Sequence, residues 1–211
     1  VGLIVKTSIA NDSIHDHYQL ERRLQKELGS LRRYPDRKCK IYLLHGTLSD
    51  SQLTWLYRHD KVRALVSLTH GEGFGLPLFE ASYNSLPIIA PHWSGQTDFL
   101  SAPNKNGKMR PMISRVDYAI QPIPEQAAWE GVLQADSMWC YPSETSYKKK
   151  IREFYKNPAH LEAQSRRLKK HVLAEFSEEK MLTNFCDSFW LPQWGPMDGS
   201  SEVRSDVLEF G

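Results

Sequence analysis

The chain has 211 residues, 40% of them hydrophobic and 25% charged, with 27 Lys plus Arg against 25 Asp plus Glu for a formal net charge of +2. That apolar content offsets the entropy lost when a chain orders, so a disordered segment, a peptide and a disulfide miniprotein are excluded, and one large α/β core is the simplest expectation. A balance this near neutral also excludes recognition of nucleic acid by bulk charge.

Cys39, Cys140 and Cys186 are too few and too scattered for a disulfide framework or a zinc knuckle, which fits a reducing, cytoplasmic setting. No apolar run approaches the roughly 18 residues that span a bilayer, and no secretion signal opens the sequence, so a soluble protein is expected. Because Val1 already stands in a strand pattern, the chain reads as one domain of something larger.

In chain order, Leu3, Ile4 and Val5 form a first strand, and a polar loop follows. Leu20, Leu24, Leu28 and Leu31 then share one helix face, closed by Gly29 or Pro35. Ile41 to Leu44 make a second strand stopped at Gly46, and Ser49 with Gln52 is a capping box opening a helix over residues 50–59, with Leu53, Leu56 and Tyr57 on its buried face. Residues 64–68 are a third strand. A glycine-bearing loop leads from it into a helix near Pro77, residues 87–90 are a fourth strand, and residues 94–100 a short helix. Strands alternating with helices at this spacing predict a parallel sheet, since parallel neighbours need a crossover.

Beyond residue 101 the pattern weakens. Pro103, Asn104, Asn106 and Gly107 read as loop and residues 109–120 as strand or hairpin. Three helices close the chain at residues 144–156, 159–176 and 178–190, the last capped by Ser177, and residues 191–211 read as a loosely ordered tail.

Parallel α/β sheets bind ligands where strand carboxyl ends turn into helices. The segment His70, Gly71, Glu72, Gly73, Phe74, Gly75, Leu76, Pro77, Leu78, Phe79, Glu80 stands at such a place. Gly73 and Gly75 let backbone approach a ligand, open N–H groups at a helix start attract an anion such as a phosphate, and Glu80 can accept from both hydroxyls of a ribose. Glu72 can do the same for a sugar hydroxyl. The third glycine of G-x-G-x-x-G is absent, which disfavours a dehydrogenase.

These residues resemble GT-B glycosyltransferases, particularly the large retaining family four, whose E-G-F-G-x-x-x-x-E hallmark is matched at Glu72, Gly73, Phe74, Gly75 and Glu80. The run Leu86-Pro87-Ile88-Ile89-Ala90 followed by Gly95 also follows that family. The resemblance is specific over residues 41–100 and looser over the rest of residues 1–190. It implies a Rossmann-like parallel sheet flanked by helices, forming over residues 1–190 the carboxyl-terminal, nucleotide-sugar (donor, such as a UDP-sugar) binding half of an enzyme whose amino-terminal acceptor domain is missing here.

By that resemblance Glu80 holds the ribose, Glu72 the transferred sugar, and backbone N–H groups at Gly73, Phe74, Gly75 and Leu76 the sugar and diphosphate. Lys6, with Thr7 beside it, stabilises the leaving diphosphate, and Gly46 and Leu48 border the nucleotide base. The family commonly supplies a second cation, where this chain offers Asn11, His15 and His17. The implied activity is sugar transfer from a nucleotide diphosphate donor with retention, the alternative being a non-catalytic nucleotide-sugar-binding module of the same fold.

His70 either touches the donor or bonds a neighbouring backbone. His92 stays open, and Trp93 reads as packing. No D-x-D acid pair occurs, so no metal and no other cofactor is expected; no G-x-S-x-G elbow suggests a hydrolase. The basic runs at Lys148–Lys150 and Arg166–Lys170 read as solvated helix faces, with no nucleic-acid partner.

Overall fold

A computed structural model describes residues 1–9, 12–29, 38–104 and 106–188, and the chain divides into two compact units, Val1–Val62 and a second that begins at Arg63. In the first unit β1 (Gly2–Thr7) and β2 (Lys40–His45) pair in parallel, from Gly2 opposite Lys40 to Thr7 opposite His45. Their crossover includes α1 (Ile14–Gly29), on which Leu20, Leu24 and Leu28 are half-buried. Leu31 and Pro35 lie outside the described residues.

The capping box opens α2 (Asp50–Arg58) as the sequence requires: the Ser49 hydroxyl accepts from the Gln52 N–H at 3.3 Å and the Gln52 amide oxygen from the Ser49 N–H at 2.9 Å. The helix ends one residue short of the expected boundary because His59 is extended and serves as its cap.

In the second unit β3 (Leu65–Val66), β4 (Ile88–Ala90) and β7 (Ser114–Arg115) form a parallel sheet with β4 at its centre. All three β4 residues are buried, which is why this strand reads as an uninterrupted apolar run instead of an alternation. Ile89 packs with Val116 and Leu161, and Ala64, Leu68, Tyr147 and Phe154 close around them. The paired part of β3 is shorter than residues 64–68: bonds from the Leu65 N–H to the Pro87 carbonyl and the Ser67 N–H to the Ile89 carbonyl mark its reach.

The chain between β4 and β7 departs from expectation. The helix at residues 94–100 is a 3₁₀ turn, Gly95–Asp98, entered through Ser94 at φ +67°. The region around Pro103 is an antiparallel hairpin of β5 (Ser101–Pro103) and β6 (Met109–Pro111), tightened by the Asn104 side chain, which accepts from the N–H groups of Asn106 and Lys108.

A second hairpin joins β8 (Tyr118–Pro122) to β9 (Met138–Pro142). Three helices follow, α4 (Glu144–Lys156), α5 (Ala159–Glu175) and α6 (Glu178–Ser188). Ser177 caps α6 by accepting from the Lys180 N–H at 3.3 Å. Trp190 and the tail at 191–211 lie outside the described residues. Both units are therefore mixed α/β with parallel strand pairs, in sheets of two and three strands. No described helix is long and apolar enough to cross a membrane.

Candidate functional site

The loop at residues 67–75 carries β3 into α3 (Leu76–Tyr83). Gly75 is the residue before the helix and sits at φ +88°, a left-handed conformation that favours glycine; a Cβ there would also lie 3.2 Å from the Cβ of Gln96. The Gly75 carbonyl takes the N–H groups of Leu78 and Phe79 at 2.9 and 3.0 Å, and Pro77 has no N–H to offer. No side chain caps the helix, so the N–H groups of Phe74, Gly75 and Leu76 carry no bond to the described chain at its positive end.

The loop is braced from the turn after β4. The Ser94 hydroxyl donates to the Glu72 carbonyl at 2.8 Å, and the Gly95 N–H donates to the same oxygen at 3.1 Å. Gly95 lies against the next peptide so closely that a Cβ on it would stand 1.9 Å from the Gly73 carbonyl oxygen. Behind the loop the Phe74 ring lies 5.2 Å from Phe79 and 5.0 Å from Phe99, and both of those rings reach Phe176 at the end of α5. The Phe74 side chain is thus an anchor, and what this residue leaves open is its N–H.

Glu72 and Glu80 flank this braced segment, both half-buried, the first on the loop and the second on α3. His70 bonds a neighbouring strand: its carbonyl accepts from the Cys140 N–H at 3.0 Å, and its Nδ1 lies 2.7 Å from the Cys140 carbonyl. A carbonyl only accepts, so Nδ1 is the protonated nitrogen and Nε2 is left for another partner.

Lys6, Thr7, Gly46 and Leu48 belong to the first unit, where the carboxyl ends of β1 and β2 lie side by side. Asp12 ties the two ends together. Its carboxylate accepts from the Thr47 N–H at 2.8 Å, and hydrogen bonds from Thr47 hold its pKa below the ordinary 3.8. Leu44, Leu48, Ser51, Gln52, Trp55 and Leu56 line a hollow of about 330 Å³ beside this edge. Asp12, Ser94 and Gln96 were not marked by the sequence; the first two act through bonds spanning 35 and 22 residues, which no local pattern carries.

His92 is half-buried against the Ser101 hydroxyl, 3.3 Å away, and burial, seconded by the Arg115 charge, lowers its pKa from the ordinary 6.5. The basic run on α4 is engaged in helix-surface ion pairs, Lys148 with Glu144 and both Lys149 and Lys150 with Glu153, which fits a solvated face. The three cysteines are free thiols, and burial pushes that of Cys140 up.

Three curated proteins match the chain, each described as a serotype-specific mannosyltransferase WbdA of Escherichia coli, at 44% identity over 59 residues. The matched stretch is 28% of this chain and 7% of each relative's length. No family model matches. Over that stretch the chain is glycosyltransferase-like.

Proposed function

We propose that the loop at residues 70–80 binds the diphosphate and sugar of a nucleotide diphosphate sugar. On this reading the chain is the Rossmann-like, donor-binding part of a retaining GT-B glycosyltransferase of the family-four type. One observation carries it: three unbonded backbone N–H groups at the head of α3 sit on a segment rigidly braced through Gly95 and flanked by two carboxylates. Diphosphate oxygens suit the N–H groups, and sugar hydroxyls suit the acids. The likeness to a mannosyltransferase supports a mannosyl donor.

In the reaction, Glu80 holds the ribose hydroxyls and Glu72 a hydroxyl of the sugar being moved. The N–H groups of Phe74, Gly75 and Leu76 take up negative charge that grows on the diphosphate as the glycosidic bond breaks.

Isothermal titration of GDP and UDP into the chain and into Glu80→Ala tests the reading. Two charge-assisted bonds are lost in the variant, each worth roughly 1.5–3 kcal/mol, so the favoured nucleotide binds at least about a hundredfold more weakly. Equal affinity for both proteins would remove Glu80 from the site.

A further inference from the structure

The hairpin of β8 and β9 has two unlike faces. Residues directly opposite across an antiparallel pair share a face, which groups Trp139 with Gln121 and Tyr141 with Ala119, while Cys140, completely buried, points to the other side. On the first face Ala119 and Gln121 are exposed and Trp139 and Tyr141 half-exposed. His70 joins them from the loop. Its ring stacks on Trp139 at 4.6 Å with 6° between the planes and lies 4.8 Å from Tyr141, tilted 57°.

The rings are held in place. His70 is fixed by its Nδ1 and backbone bonds to Cys140, and the Tyr141 hydroxyl donates to the Pro122 carbonyl at 3.3 Å. None of the five residues carries a fixed charge, so a phosphate-bearing partner finds no cation here, and no long aliphatic side chain projects from the face to enter a lipid layer.

Flat rings edged by hydrogen-bonding groups match one ligand chemistry well. A pyranose presents an apolar C–H face for stacking and a hydroxylated rim, for which His70 Nε2 and the Gln121 amide stand ready. We infer that Trp139, His70 and Tyr141, with Gln121, form a carbohydrate platform that seats a sugar ring. The platform is continuous with the proposed donor loop, since His70 is followed directly by Gly71 and Glu72. The platform rests on the ring geometry and not on the donor reading of that loop.

Saturation-transfer NMR and titration of short α-linked gluco-, manno- and galacto-oligosaccharides into the chain provide the test. At least one saccharide is expected to bind through its C–H protons and to perturb tryptophan fluorescence. Trp139→Ala is expected to weaken it by about tenfold or more, the scale on which a stacked ring contributes, and Trp139→Phe to restore part of the affinity. Tyr141→Ala provides a second variant should Trp139→Ala fail to fold by circular dichroism, with GDP and UDP titrated into each protein alongside.

No saccharide binding to the wild-type chain, or unchanged affinity in the folded ring variants, would overturn the platform. Saccharide binding lost in the variants while no nucleotide binds the wild type would retain the platform and sink the donor reading instead.

Discussion

Gly95→Ala is expected to destabilise the second unit by about 3 kcal/mol, the upper end of what overpacking costs, because the new methyl would lie 1.9 Å from the Gly73 carbonyl oxygen. That oxygen cannot swing aside as a flexible side chain would. It belongs to a peptide whose neighbour, the Glu72 carbonyl, already takes two hydrogen bonds from Ser94 and Gly95. Relief requires opening the contact between the two loops, so nucleotide affinity is expected to fall with stability.

Gly73→Ala is the matched control. No atom stands within 4 Å of its added Cβ, and its φ lies outside the left-handed region, so stability should change by no more than about 0.5 kcal/mol. Urea midpoints of the two variants check this. Two alanine variants of equal stability would show that the loop is not braced as described.

Phe99→Ala is the second large effect, about 3–5 kcal/mol, the range for emptying a buried aromatic site. Phe99 is fully buried and lies 5.0 Å from Phe74, 5.2 Å from Phe79 and 6.4 Å from Phe176, so its loss removes the ring that the other three surround. The Phe74 ring, 44% exposed, has less to lose, and Phe74→Ala should cost well under half as much. The pair separates two jobs: Phe99 holds the core and Phe74 holds the loop to it. Thermal or urea unfolding of both variants gives the ordering, which a Phe74→Ala loss equal to that of Phe99→Ala would contradict.

What was legible in the sequence was local. The helix at residues 144–156 was readable to the residue because Asn157 and Pro158 stop it, and the capping box at Ser49 and Gln52 names its own hydrogen bonds. Glu72, Gly73, Gly75 and Glu80 stand out because their spacing is contained in nine residues. The strand Met138–Pro142 went unread: its residues run Met, Trp, Cys, Tyr, Pro without polar alternation, and it became a strand only by pairing with Tyr118–Pro122 some twenty residues away. The bridges Asp12 to Thr47 and Ser94 to Glu72, and the four-phenylalanine cluster, are likewise long-range and leave no periodic trace.

Two glycines that look equivalent in sequence also proved unlike. Gly75 is required by its backbone angle, whereas Gly73 is open space, and the tightest demand falls on Gly95. The sequence marks Gly73 and Gly75 for the approach of a ligand, whereas the closest approach in the structure is between two parts of the chain itself, at Gly95.

The most direct measurement is an amide-resolved titration: ¹⁵N-labelled chain observed while a nucleoside diphosphate and its sugar conjugate are added. The amide resonances of Phe74, Gly75 and Leu76 should move together and saturably with the diphosphate ligands and stay still with the nucleoside alone. Saturable binding that leaves those three amides in place, or no binding of either diphosphate ligand, would contradict a donor site at the head of the Leu76–Tyr83 helix.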